Sequence, residues 1–412
     1  MNLREFAERL IEFDTTDGQE AAAQEWFADR LAELDFEVYE WEADAARLAK
    51  HPSFPDDPAE IATENRPSVA GVREFGDPDA GPTLVLNGHV DVVPAEEGIW
   101  SSPPFEPHWD GDDLTARGAV DMKSAVAALV FAAADLDDVD ADLNGRVVVE
   151  NVVGEEEGGV GAAWAAIDNP YPFERDACLV AEPTDLEVVT ATEGVLMKRL
   201  QLEGRSAHAA TRWVGEDVLP HFERVREAFL DLEDERGESV THPLYEEFPV
   251  PWPVVFGRVE AGSWASTVPA ALTAEIRIGV APGETVDEVE AVFDERLAEV
   301  VADDEWLSEH PPTFERFTIQ FESAEIDPDE PVVAALQAAM AEQGLDDTEP
   351  KGRTYGADAR HYIEAGIPTV VFGPGSIEQA HFPDETVHWP DVRRARRVVR
   401  DTATRLLGDE SA

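Results

Sequence analysis

Three short, continuously apolar stretches in this chain constrain its fold more than any other feature. "TLVLNGH" comes before the helical stretch "DMKSAVAALVFAAADL", "RVVVENVVG" before "VGAAWAAI", and "ACLVAEP" follows. Strands that are apolar on both faces and alternate with helices predict an α/β fold, its mostly parallel central sheet covered on both sides. In such sheets ligands bind beyond the carboxyl ends of the strands. His89, Glu155 and Glu182 stand at or just past three such ends.

The flanking segments give the organisation. Leu3, Phe6, Ala7 and Leu10 fall at helical spacing, as do Trp26, Phe27, Leu31 and Leu34, and "FEVYEW" alternates like a strand. Pro52, Pro55, Pro58 and Pro67 predict an irregular segment from about 50 to 80. Near residue 195 the pattern changes. "VLMKRLQLEG", "VVFGRVEAG" and "ALTAEIRIGV" alternate, and helical stretches fall at about 216–232 and 286–303. That is an α+β unit with a half-exposed antiparallel sheet. The expectation is one α/β domain, 1–194 and 313–412, interrupted by an inserted α+β domain, 195–312.

Composition narrows the setting. Of 412 residues, 31 are basic and 89 acidic, for a net charge of −58, while hydrophobic residues make up 43%, enough for a large core. The acid is spread along the chain, which implies a solvated acidic surface and not an interaction tail. Such a surface repels itself at low salt, and at molar salt the Debye length falls to ~3 Å. A salt-accumulating halophile is the expected setting. Nucleic acid and anionic membranes are poor partners for this surface. There is no long apolar run and no secretory-type start, so the expected location is cytoplasmic. Cys178, the single cysteine, allows neither an internal disulfide nor a thiolate metal cluster.

The candidate chemistry lies in five places: His89, Asp121 in "RGAVDMK", Glu155 and Glu156 in "VVGEEEGGVGA", Glu182 in "AEPT", and His381 in "QAHFPDE". Each directly ends an apolar strand or opens a helix, where a charge is costly unless paired or bound to metal. Two imidazoles with three or four carboxylates suit divalent zinc first, with cobalt or manganese as alternatives. The count also accommodates two ions. One carboxylate bridges, each ion takes one histidine and one further carboxylate, and the fourth carboxylate is free to act as general base. A bridging water would lose its proton near neutral pH, and both ions would polarise a carbonyl.

These motifs, in this order, give the chain a family likeness. "NGHVDVVP" followed by "DGDDLTARGAVDMKSAVAAL", and "IPTVVFGPG" followed by "AHFPDE", closely resemble the metallopeptidase and deacylase family of acetylornithine deacetylase, succinyl-diaminopimelate desuccinylase, carboxypeptidase G and aminoacylase. The resemblance covers nearly the whole chain. It implies one ion on His89, Asp121 and Glu182 and a second on Asp121, Glu156 and His381. It also implies Asp91 as the support of the His89 ring and Glu155 as general base. The inserted unit looks like a lid and dimerisation domain, in which His208 of "EGRSAHAA" would reach the site of a partner subunit and stabilise the oxyanion. Ser266 stands where the family often has Asn before Val-Pro. Arg277 and Arg353 are candidates to bind a substrate carboxylate, each with a structural ion pair as the alternative. Gly373 lies in a turn that the family uses near its substrate.

The family usually reads Asp-Glu-Glu before a Gly-rich turn, and this chain reads Gly154-Glu155-Glu156-Glu157-Gly158-Gly159. Aligning the glycines makes Glu155 the base and Glu156 the ligand; aligning the acids shifts both roles by one. The implied activity is metal-dependent cleavage of the amide bond in a small N-acyl amino acid by a homodimer. A carboxypeptidase or dipeptidase is the first alternative. A non-catalytic metal- or amino-acid-binding protein on the same fold is the alternative of another class.

Overall fold

The apolar runs become the centre of a nine-stranded mixed sheet in the computed structural model, which describes residues 1–408. Its order is Glu37–Trp41, Ser68–Phe75, Gly145–Val152, Thr83–His89, Ala177–Val180, Thr369–Val371, Val189–Thr192 and Ala324–Glu325, with Lys351–Arg353 paired to Val189–Thr192. The four strands from Gly145–Val152 to Thr369–Val371 are parallel, with Val85 opposite both Val148 and Cys178. The outer pairs are antiparallel, except that Lys351–Arg353 runs parallel to Val189–Thr192.

Both faces of the sheet are covered, as continuous apolar strands require. Leu84 and Leu86 face a core shared with the helices Leu3–Ile11, Lys123–Ala134, Pro331–Glu342 and Trp389–Leu407. Val85, one residue out of phase, faces the opposite core with the helices Val160–Ile167 and Ala359–Glu364. Lys123–Ala134 is buried from Lys123 to Ala133, because helices pack over the side turned away from the sheet. Asp121 does not open this helix. Met122 takes the cap position, which leaves Asp121 on the loop before it.

The segment expected to be irregular contains a full strand. Ser68–Phe75 runs antiparallel between Glu37–Trp41 and Gly145–Val152, and its first five residues are buried. The prolines lie before it, and sheet pairing on both sides decides its conformation.

A separate four-stranded antiparallel sheet has the order Val254–Ala261, Ala271–Val280, Gly194–Glu203, Thr313–Arg316. The helices Val218–Ser239 and Val286–Ala302 pack on it around Leu200, Phe229, Ile276 and Phe293. Thr313–Arg316 pairs with Gly194–Glu203, so this sheet runs past residue 312. A small third sheet, His108–Asp110, Asp113–Thr115 and Thr386–His388, ties the end of the chain to the loop before Asp121. No helix among the described residues is long and apolar enough to cross a membrane.

Candidate active site

Parallel neighbours in register bring their carboxyl ends together. His89 is the last residue of Thr83–His89, and Glu155 and Glu182 follow the ends of the two strands flanking it. The third sheet, through Thr386 opposite Thr115, carries the His381 loop toward Asp121. Two groups result: His89, Asp121 and Glu182, and Asp121, Glu156 and His381. In each, the potential ligand atoms lie within 4.8 Å of one another, and Asp121 belongs to both.

The distances are short. His89 Nε2 lies 3.0 Å from Asp121 Oδ1 and 3.8 Å from Glu182 Oε1. His381 Nε2 lies 3.0 Å from Glu156 Oε1 and 3.5 Å from Asp121 Oδ2. His89, Asp121, Glu155 and Glu182 are buried, whereas the His381 side chain is 53% exposed at the mouth.

Asp91 supports His89, but not through its carboxylate. The His89 Nδ1 lies 2.9 Å from the Asp91 main-chain carbonyl oxygen, with Asp91 Oδ1 at 3.7 Å. A carbonyl only accepts, so Nδ1 carries a proton and Nε2, turned toward Asp121 and Glu182, is the nitrogen that would be left to ligate an ion. The Asp91 carboxylate instead accepts at Oδ2 from the Glu156 amide, at 3.0 Å. Asp91 thus links the two groups.

The electrostatics call for cations. Among the described residues no lysine or arginine pairs with Asp121, Glu155, Glu156 or Glu182, and buried Glu182 Oε1 has no hydrogen-bond partner. Burial, then repulsion from Glu182 and Asp358, pushes the Glu155 carboxyl well up. Burial likewise raises Glu182, with Asp121 as the next cause. The ring of His89 shows the converse. Burial opposes its charge, but Asp121, Glu182 and Asp91 outweigh that and hold it well above its usual range. The Asp121 and Glu156 carboxylates raise His381 to about 10. A buried cluster this rich in carboxylate, with N and O donors only, fits two divalent ions. Bound cations would reverse these shifts.

The remaining expected residues lie elsewhere or are already engaged. His208 is exposed, and its Nδ1 accepts from Ala210 N at 3.1 Å. Ser266 is exposed on the adjoining turn, where its carbonyl accepts from Ala209 N at 2.9 Å. Within this chain the described polar contacts of these two residues do not reach the cluster. Arg277 donates to buried Glu193 at 3.1 Å and to the Thr354 carbonyl at 3.0 Å. Arg353 pairs with Glu187 and donates to the Thr184 carbonyl at 3.3 Å. Gly373 is a packing position: an added Cβ would come within 2.4 Å of the Glu182 carbonyl oxygen.

Sequence reasoning missed three residues that build this site. Glu385, fully buried, accepts at Oε1 from Val120 N (2.6 Å) and Asp121 N (3.0 Å). At Oε2 it accepts from Gly118 N (3.0 Å) and Arg117 Nη1 (2.7 Å). It lies inside the quoted string "AHFPDE", where its acidity looks like any other on this surface. Arg66 and Glu20 brace the glutamate turn from distant parts of the sequence, with no local signal.

The model of Peptidase family M20/M25/M40 matches residues 85–405. An acetylornithine deacetylase from Proteus mirabilis is 28% identical over 323 residues, 77% of each chain. An N-formyl-4-amino-5-aminomethyl-2-methylpyrimidine deformylase from Bacillus subtilis is 25% identical over 398 residues, 92% of this chain and 87% of that one. The fold is shared with an M20 family metallo-carboxypeptidase from Sulfolobus solfataricus, at a TM-score of 0.73 and 14% identity over 99% of both chains.

Proposed function

Because the chain belongs to the peptidase family M20/M25/M40 and is a metal-dependent hydrolase, we propose that it cleaves the amide bond of a small N-acyl amino acid, as a deacylase of the acetylornithine deacetylase type. The observation that carries this reading is the pair of ligand groups sharing Asp121 at the carboxyl ends of the parallel strands. His89, Asp121 and Glu182 would hold one ion and Asp121, Glu156 and His381 the other, zinc before cobalt or manganese. Two such ions supply Lewis acidity toward the amide carbonyl and toward water.

The chain supplies the proton transfer and the alignment. Glu155 is buried beside the cluster, and no described side chain occupies its carboxylate by a hydrogen bond. It takes a proton from the attacking water and returns it to the departing amine, leaving a carboxylate and a free amine. Asp91 fixes the His89 tautomer and the Glu156 amide, and Glu385 fixes the loop of Asp121.

The second sheet, with residues 195–312 and the strand to Arg316, acts in this reading as lid and dimer contact. Val254–Ala261 is an edge strand exposing Val255 and Val259, which favours pairing with a second copy. His208 then serves the partner's site as oxyanion donor, with Ser266 beside it. Arg277 and Arg353 can meet a substrate carboxylate with the guanidinium edges not engaged by Glu193 and Glu187. The acidic surface fits the cytoplasm of a salt-accumulating cell. The test is Glu155→Gln, which is expected to keep its metal and lose at least a hundredfold in kcat. Turnover near the wild-type rate would remove Glu155 from this role.

A further inference from the structure

The third glutamate of the turn is not at the cluster. Glu155–Gly158 closes as a tight turn, with Gly158 N donating to the Glu155 carbonyl at 2.8 Å. Its two central side chains part: Glu156 goes to His381, and Glu157 goes to the Arg66 guanidinium. Arg66 is buried and anchored. It donates from Nε to both Glu20 carboxylate oxygens, at 3.2 and 3.1 Å, from Nη2 to Glu20 Oε1 at 2.5 Å, and from Nη1 to the Ala62 carbonyl at 3.1 Å. Glu20 is itself fully buried.

The start of the turn touches the same group. Gly154 has φ +71°, and a Cβ there would lie 3.3 Å from Arg66 Nη2 and 3.0 Å from Val160 Cβ. An arginine from another segment thus approaches the start of the turn, at a glycine with positive φ. At its far end the turn is held by Arg360, whose Nη2 donates to the Gly158 carbonyl at 2.5 Å.

Resting on the function proposed above, we propose that Arg66, anchored by Glu20, is a positioning residue that grips Glu157 and so sets Glu155 and Glu156 toward the ions. Two physical reasons support this. The bidentate Arg66–Glu20 pair fixes the guanidinium in orientation as well as distance, which holds Nη1 in place for the single contact to Glu157 Oε2. A freed Glu157 would add a third unpaired like charge to a turn already holding two carboxylates at a cluster that, among the described residues, pairs with no lysine or arginine.

Glu157 makes the test clean, because its side chain is 45% exposed and an exposed partner contributes little to stability. Glu157→Gln is expected to unfold at the wild-type denaturant midpoint and keep its KM. Its kcat should fall about tenfold, the scale of loss when an outer partner of a metal site is removed. Cobalt titration of the apoprotein should show one of the two ions bound about tenfold more weakly, with a changed visible spectrum. Glu157→Lys, which repels Arg66, should lose more than Glu157→Gln. In an Arg66→Gln/Glu20→Gln background that folds, Glu157→Gln should add nothing. Wild-type kcat and cobalt titration in Glu157→Gln, beside an inactive Glu155→Gln, would overturn this inference and leave the proposed function standing. An active Glu155→Gln, or an apoprotein that takes up no cobalt, would overturn the function and this inference with it.

Discussion

Replacing Glu385 with glutamine exchanges one oxygen for an NH2 group at the most heavily used buried carboxylate behind Asp121. The wild-type side chain accepts from four donors, two at each oxygen: Val120 N and Asp121 N at Oε1, Gly118 N and Arg117 Nη1 at Oε2. Glutamine has one acceptor oxygen, so it satisfies one pair and turns an NH2 toward the other. Each hydrogen bond to a charged group contributes roughly 1.5–3 kcal/mol, and Arg117 is also left buried without its counter-ion. Allowing for local relaxation, the expected loss is about 3 kcal/mol. The Asp121 amide is among the donors, so metal affinity should fall roughly 10- to 100-fold as well. Urea unfolding measures the first effect, and calorimetric zinc titration of the apoprotein the second. Glu378→Gln, on the exposed surface, is the control and should stay within about 0.5 kcal/mol. A Glu385→Gln protein with wild-type stability and zinc affinity would refute the idea that four donors converge here to fix Asp121.

Three further expectations follow from the charges. Burial pushes the Glu193 carboxyl up to about 8, only partly offset by Arg277. A carboxyl raised on folding keeps more protons in the native state, so its contribution to stability is full below about pH 4.5 and is lost as pH rises through about 8. At about 1.4 kcal/mol per pKa unit the upper bound of that loss is about 5 kcal/mol, and Glu193→Gln should flatten the slope; an unchanged slope would count against it. Added KCl should raise the urea midpoint steadily toward molar salt, because it screens a net charge of −58; a midpoint that fell would sink the halophile reading. Chelation should lower the unfolding free energy by about 4 kcal/mol for each bound ion, relative to protein in free zinc at a thousand times that ion's dissociation constant, and equal unfolding curves would rule out a folded-state metal site.

The parts of this molecule legible in its sequence share one property: their signal is local. The central strands show as apolar runs, and His89, Glu155 and Glu182 show as polar residues ending such runs. Ser68–Phe75 was hidden because prolines precede it and because Arg73 and Glu74 lie in its second half; pairing on both sides overrides that composition. The family resemblance implies Asp91 as the support of His89, but which of its oxygens faces the ring depends on how the chain bends after the strand. Glu385, Arg66 and Glu20 carried no signal, since 89 acidic residues mask any one buried carboxylate and the partners lie far apart in sequence. Arg277 and Arg353 read in the sequence as candidates for a substrate carboxylate, with a structural ion pair as the alternative, and in the folded chain they pair with Glu193 and Glu187.

The most direct test of the whole account is release of free amine, measured in molar KCl with zinc or cobalt, before and after chelation. The substrates are Nα-acetylornithine, other N-acyl amino acids, N-formylated pyrimidine amines and dipeptides, offered to wild type and Glu155→Gln. The account predicts chelator-sensitive release from an N-acyl amino acid by the wild type, and almost none by the variant with its metal still bound. Release that survives full removal of metal, or a wild type that hydrolyses only the dipeptides or the formylated pyrimidine, would contradict it.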